Sequence, residues 1–456
     1  MLKNYLITIL RQIQKNKVFS FINIFGLALG MAACLVIAQY VNFHTSFDKY
    51  HSNADQVFRI EGDAYKNGET LGPSIYTPSM LSQTLMEQSR NVSAVARFFD
   101  INYTNNSIIY NDGENQVNFE QGKSYVTEKG AFELFDFEFV AGSAQKFDEP
   151  QKAILTLGAS KKYFSDPQKA IGSSFVLSGN TGATEYELVG VMKDLPPNSH
   201  FDFELLLSLP SLDKYSPART RWDYNSMVAY IMLDDPSSLE SVLANTQDLY
   251  AENMKEVFAH NGYQVEYKLR SLTDIHTDQA SAGMFTSPID GKLILILSLI
   301  AIVILVIAWI NYMNLSLIRT MERLKEMGIR KCMGSSMKQL TQLFVMEAFV
   351  MNSIAFGLAL LITQAGEAYL IEITGLPISA LMNMEMLSLL GGIMLAGTLL
   401  IGFYPYALLK TMSIVNVLVG KKGKVGGGKL RKSLVFAQFV ITFILIAGTI
   451  TIYNQI

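Results

Sequence analysis

Five stretches of about 20 apolar residues limit what this chain can become. A bilayer core roughly 30 Å thick takes about 20 apolar residues as a helix, because every backbone amide there must bond within its own segment. The stretches are VFSFINIFGLALGMAACLVIAQYV (18–41), residues 290–312, 340–363, 386–408, and 434–456, the last opening with LVFAQFVITFILIAGTITIY. The 456 residues are half hydrophobic and only 17% charged, a mixture that suits a membrane protein carrying a soluble domain.

Lysine and arginine set the expected orientation. Lys3, Arg11, Lys15 and Lys17 precede the first span; six basic residues lie in 313–339 and seven in 409–433, whereas 364–385 has none. This alternation puts the N-terminus in the cytoplasm and residues 42–289 outside. The outer segment is acidic, with 33 Asp and Glu against 19 Lys and Arg between Asn42 and Ile289, a surplus of 14 in a chain whose net charge is −3. It lacks a basic stripe interleaved with aromatics, which argues against nucleic acid as a partner. Both cysteines, Cys34 and Cys332, lie outside it, so it has no disulfide framework. MAAC (31–34) imitates a lipoprotein signal, but the apolar run continues past Cys34 as LVIAQYV, so a retained helix is expected. In residues 1–17, Leu2, Tyr5, Leu6, Ile9, Leu10 and Ile13 share a helical face. That amphipathic helix lies either along the cytoplasmic membrane surface, against lipid, or on the protein's own loops.

Short β-like runs recur at 152–158, 173–179, 186–196, 227–234 and 263–272, with helical patterns at 78–90 and 238–259. The expected fold class is therefore an α-helical membrane protein of four to five spans, with a large α+β domain inserted between the first and second. This pattern shows neither a greasy groove nor a charged cleft in the domain.

Catalytic motifs are missing: there is no G-x-S-x-G, H-E-x-x-H or C-x-x-C. His44 and His51 flank Asp48 without a clustered third ligand, and His200 stands near Asp202; solvated or hydrogen-bonded roles are expected for all of them. Gly423 to Lys429 approaches a P-loop, but Leu430 stands where the magnesium-holding hydroxyl belongs, and a membrane span follows. No enzyme activity, cofactor or metal is expected.

One charged stretch interrupts the apolar pattern. ERLKEMGIRKCMG (322–334) pairs Glu322 with Lys325 and Glu326 with Arg330 at helical spacing, while Gly328 and Gly334 permit close approach or a turn. The stretch is either a positive-inside anchor or a docking helix.

RTMERLKEMGIRKCMGSSMKQLTQLFVMEAF resembles the cytoplasmic stretch of FtsX-like/MacB-like ABC transporter permeases, through Arg323, Lys325, Glu326, Gly328, Arg330, Lys331, Gly334 and Glu347. FELFDFEFVAGSAQ, KKYFSDPQKAIGSSF and YELVGVMKDLPPNSHFDF are similar to that family's MacB-like core domain. The resemblance implies a non-catalytic mechanotransmission subunit in a bacterial inner membrane, whose coupling residues dock a separate P-loop ABC ATPase. It implies a second permease unit, as a homodimer or a tandem repeat, and a periplasmic adaptor or outer-membrane channel as further partners. The expected function is export or extraction of an envelope substrate; the alternatives are a scaffold gating a cell-wall hydrolase, or a membrane sensor. Glu347 either takes part in coupling or is a buried hydrogen-bonding residue. The fifth span departs from a four-span unit and is either the opening helix of a second repeat or a lone extra helix.

Overall fold

The structure is a computed structural model. It describes residues 7, 9, 11, 13–102, 107–111, 116–120, 122–164, 167–179, 182–214, 222–260, 262–279, 284–285, 287–322, 329, 333–334, 336–374, 384–410 and 427–453. The chain divides into two compact units, one of residues 1–43 with 292–456 and one of residues 44–291.

In chain order, α1 (Lys17–Thr45) is followed by β1 (Val57–Lys66), β2 (Glu69–Ser74), β3 (Tyr76–Pro78), α2 (Ser79–Gln88) and β4 (Val92–Asp100). Next come β5 (Ser107–Asn111), β6 (Gln116–Glu120), β7 (Ser124–Thr127), β8 (Phe139–Gly142), β9 (Lys152–Thr156) and α3 (Leu157–Tyr163). Then follow β10 (Ser174–Gly179), β11 (Gly182–Met192), β12 (Leu205–Ser208), β13 (Asn225–Leu233), α4 (Leu239–Asn253), α5 (Lys255–His260) and β14 (Tyr263–Ser271). The remaining helices are α6 (Gly291–Glu322), α7 (Met337–Ala365), α8 (Glu367–Thr374), α9 (Met384–Lys410) and α10 (Gly427–Tyr453).

Among the described residues, three stretches are long and apolar enough to cross a membrane: Lys17–Thr45, Gly291–Ser316 and Thr341–Ala365. Shorter apolar stretches, Leu387–Phe403 and Val435–Ile444, lie in α9 and α10. Compared with the expected spans, α6 continues well past residue 312 to Glu322, and 364–385, expected as a loop, contains α8. Small residues let these helices approach closely, as packing in lipid requires. Ala348, Ala355 and Ala359 of α7 are buried with Leu27 and Ala28 of α1, Ala301 of α6 and Ile401 of α9. At Gly30 the approach is close, since a Cβ there would sit 2.8 Å from the Cβ of Ala308.

One polar contact ties two of these helices: Asn352 Nδ2 of α7 donates to Thr398 Oγ1 of α9 at 3.0 Å, and both side chains are buried. An interhelical bond of this kind contributes about 0.6–1.7 kcal/mol in a membrane. Asn352→Leu is therefore expected to lower the thermal midpoint of the detergent-solubilised chain slightly without changing its fold. A midpoint unchanged in Asn352→Leu would show that the bond contributes nothing.

The other unit is built on one mixed sheet, ordered β14-β1-β13-β4-β7-β12-β9-β11-β10-β5-β6, with β2 beside β1, β3 beside β13 and β8 beside β11. Two of its pairings, β12 with β7 and β11 with β9, are parallel. Each of the five expected β-like runs contains most of a strand, although 157–158 open α3 and 193–196 run into a loop, and α2 occupies the first expected helix. The second expected helix is two, α4 and α5, interrupted at Met254. Strand β13 shows why a central strand reads as a continuous apolar run. Val228 and Tyr230 enter the core that contains Phe98, Phe135 and Phe201, while the alternating Ala229, Ile231 and Leu233 face the core beneath α2 and α4.

Sequence patterning missed β1 and β4, which carry buried charges. Arg59 donates to Glu61 Oε1 through Nε and Nη2 at 3.1 and 2.7 Å, and Arg97 makes a two-pronged pair with Glu128 at 2.7 Å on each prong. At the outer edge of β14, α4 covers the open backbone: Gln247 accepts from Tyr267 N–H and donates to Val265 C=O, and Tyr250 Oη accepts from Val265 N–H. These side chains occupy groups that would otherwise template another strand.

Candidate functional site

Two of the eight proposed coupling residues lie among the described residues. Gly334 is exposed at φ +97°, a conformation that a side chain would strain, and stands in open space. Just before it, Met333 N–H closes a helical turn on Ile329 C=O at 2.9 Å, and both side chains are exposed. Ser336 then opens α7 with a capping box: its hydroxyl accepts from Gln339 N–H, and Gln339 Oε1 accepts from Ser336 N–H. Glu347 lies half-buried in the third turn of α7, beside the buried Phe344 and Ala348. Arg323, Lys325, Glu326, Gly328, Arg330 and Lys331 lie outside the described residues.

A second constellation, which sequence reasoning missed, lies where the sheet unit connects in sequence to α1 and α6. This neck consists of residues 44–51 and 272–278. His44 Nδ1 lies 2.8 Å from His276 Nε2, so at least one of the two rings must be neutral to accept, and Phe47 stacks on His276. Asp48, wholly buried at φ +59°, accepts the amide of His200 at 3.0 Å and lies 2.9 Å from His200 Nδ1. His200 Nε2 in turn meets the hydroxyl of the buried Tyr230 at 2.8 Å. His51 accepts the Asp136 amide at Nδ1, 3.1 Å away. Of the two roles expected for these residues, solvated or hydrogen-bonded, the second is the one found, and His51, His200 and Asp48 are all buried.

Burial holds two of these rings neutral. It lowers His51 to about 4, with Asp48 and Asp136 opposing the shift and His200 adding to it. Burial and the neighbouring His44 lower His276 to about 4 as well, with Asp48 opposing. Among the described residues, no group of three or more His, Cys, Asp or Glu is placed to hold a metal ion.

The neck is gripped by the loop 193–204, from the LPPNSHFDF stretch. Asn198 Nδ2 donates to the carbonyl and hydroxyl of Ser46, both at 3.1 Å, and its own carbonyl accepts Asp48 N–H at 2.9 Å. Tyr50 donates to Ser199 Oγ at 3.0 Å. The opposite side of this loop walls an open cleft of about 440 Å³ whose other wall is α3. Contrary to expectation, then, the domain does carry a charged cleft.

Comparison with known proteins matches residues 20–249, half of the chain, to the MacB-like periplasmic core domain and residues 298–414 to the FtsX-like permease C-terminal domain. The chain belongs to the MacB-like, FtsX-like family of ABC transporter permeases. The macrolide export ATP-binding/permease protein MacB of Rhodopseudomonas palustris (strain HaA2) is 24% identical over 267 residues, which are 57% of this permease and 38% of that protein. The ABC transporter permease YknZ of Bacillus subtilis (strain 168) is 24% identical over 303 residues, 65% of each chain. The permease thus spans less than two thirds of the length of either relative. A solved permease-protein domain from Porphyromonas gingivalis is 17% identical, with a TM-score of 0.42, covering 54% of this chain and 98% of that one.

Proposed function

We propose that this permease is the mechanotransmission subunit of an ABC transporter, coupling ATP hydrolysis by a separate ATPase to movement of its sheet unit. In this reading the chain crosses a bacterial inner membrane four to five times, the N-terminus is cytoplasmic and residues 42–289 are extracytoplasmic. Its cargo is an envelope substrate, exported or extracted, and a second permease unit completes the assembly, with a periplasmic adaptor or outer-membrane channel beyond it. The observation that supports this most directly is the charged stretch 322–334, which falls inside the FtsX-like match between two apolar helices. Lys and Arg flanking apolar spans favour the cytoplasmic side, and a charged helix there suits a rim contact whose complementary charges set register.

The test is purification from native membranes in mild detergent, wild type beside a Glu326→Arg/Arg330→Glu variant. Exchanging the two charges keeps their attraction within a helix while inverting the pattern that a partner meets. A P-loop ATPase is expected to co-purify stoichiometrically with wild type and to fall roughly tenfold or more with the variant. If folded wild-type protein brings down no ATPase, the reading loses its motor and is wrong.

A further inference from the structure

Residues 279–289, QASAGMFTSPI, lead from the neck towards α6 and hold no charged residue. Met284 and Phe285 stand out there between small neighbours, Ala280 to Gly283 before them and Thr286 and Ser287 after. Phe285 is half-buried, and its ring lies in a recess whose walls are closed to water: Phe98 of β4, Tyr125 of β7, and His200, Phe201 and Phe203 of the loop 193–204. Ring centroids lie 4.6 Å away at Tyr125, 4.9 Å at Phe201, 5.4 Å at Phe98 and 5.9 Å at His200, the last two meeting Phe285 edge to face. Tyr125 Oη donates to the Met284 carbonyl at 2.8 Å, and among the described residues this is the one hydrogen bond that Met284 and Phe285 make. So few attachments suit an occupant that can leave. A main-chain carbonyl caught by a hydroxyl, followed by an aromatic ring in a pocket, is also how an extended peptide is read. The rim adds charge. Asp100 stands opposite Tyr125 in the β4–β7 pairing, and Asp202 also lies near; after burial, these two carboxylates help raise the Tyr125 pKa. Asp202 is paired with Lys123, whereas Asp100 has the neutral Asn102 as its partner and no cation among the described residues. Residues 279–289 bring it none.

We propose that this recess is a peptide-binding site, filled here by the chain's own Met284 and Phe285, and that it takes an aromatic residue preceded by Lys or Arg from an extended segment of a partner polypeptide. The incoming carbonyl accepts from Tyr125 as Met284 does, the ring replaces Phe285, and the basic side chain reaches Asp100. That last contact is what a partner gains over the resident segment. His200, which Phe285 touches, is also the ring that faces Asp48, so an exchange of occupants is felt at the neck. Binding needs no ATPase and stands whether or not one docks on 322–334.

The experiment uses the full chain in lipid nanodiscs and calorimetry with three capped tetrapeptides: Ala-Lys-Phe-Ser, the same with alanine for phenylalanine, and the same with glutamate for lysine. Saturable binding is expected for the first, none for the alanine peptide, and about threefold weaker binding for the glutamate peptide. Phe285→Ala frees the recess and is expected to tighten binding roughly tenfold, because no resident ring has to be displaced. Adding Tyr125→Phe to it removes the hydroxyl that meets the peptide carbonyl and is expected to weaken binding about fivefold. Opposite signs from two changes in one recess exclude misfolding as the cause. Phe285→Leu keeps apolar volume in the recess and is expected to tighten binding less than Phe285→Ala. No saturable binding to Phe285→Ala, or equal binding of the alanine peptide, overturns the site. Equal affinity for indole alone overturns the peptide as its ligand, and a glutamate peptide that matches the lysine one overturns the role of Asp100. Binding to wild type that Phe285→Ala leaves unchanged overturns the competition with the resident segment.

Discussion

Asp48→Ala is expected to cost the sheet unit about 3 kcal/mol, the largest effect of any single change in the neck. Two causes add. Asp48 holds φ +59°, where a short polar residue such as aspartate is tolerated and alanine is strained. Its buried carboxyl group also accepts the His200 amide and faces the His200 ring, so removal leaves a buried donor without its acceptor. Asp48→Asn separates the two, because asparagine tolerates the backbone and retains an acceptor; about 1 kcal/mol is expected. A chain of two units does not unfold in one step, so the measurement is hydrogen-exchange protection of the β13 amides in the full chain. Equal protection in wild type and Asp48→Ala would mean that the neck does not brace the sheet.

Acidification is expected to loosen the same region. His51 and His276 are held near 4 in the folded unit, below the ordinary histidine value of about 6.5. The unfolded chain therefore binds more protons than the folded one between those values. Stability conferred by the neutral rings is complete above pH 6.5 and is lost as pH falls towards 4. For the buried His51 this amounts to roughly 2 kcal/mol between pH 7 and pH 4.5, a window that stops before most carboxylates titrate. His51→Asn keeps an acceptor for the Asp136 amide and removes the titrating ring, so β13 protection in this variant should depend less steeply on pH. An identical slope in both proteins would assign the acid sensitivity elsewhere.

What was legible in the sequence divides along physical lines. The apolar runs were legible because a membrane span is a local property of composition, and β9, β10, β11, β13 and β14 because β-rich runs and turn residues mark them. Strands β1 and β4 were hidden because Arg59, Glu61 and Arg97 interrupt the apolar pattern, and the Arg97 partner, Glu128, lies 31 residues away. The charged stretch 322–334 stood out because its charges lie side by side in an apolar context. The neck could not: His44 meets His276 across 232 residues, and Asp48 meets the His200 amide across 152. Each of those residues, taken alone, looks like a polar residue in a loop.

The sequence by itself determined that this chain holds helices apolar enough to cross a membrane and a large acidic segment of mixed strands and helices. Those properties follow from hydropathy and periodicity within windows of 10 to 20 residues. Tertiary structure alone decided that four of the five histidines gather at one neck, that a buried carboxylate pins the LPPNSHFDF loop there, and that the same loop walls a cleft on its other side. Contacts of that kind are set by the order in which strands pair in the sheet, and strand order is not written in any local stretch of the chain.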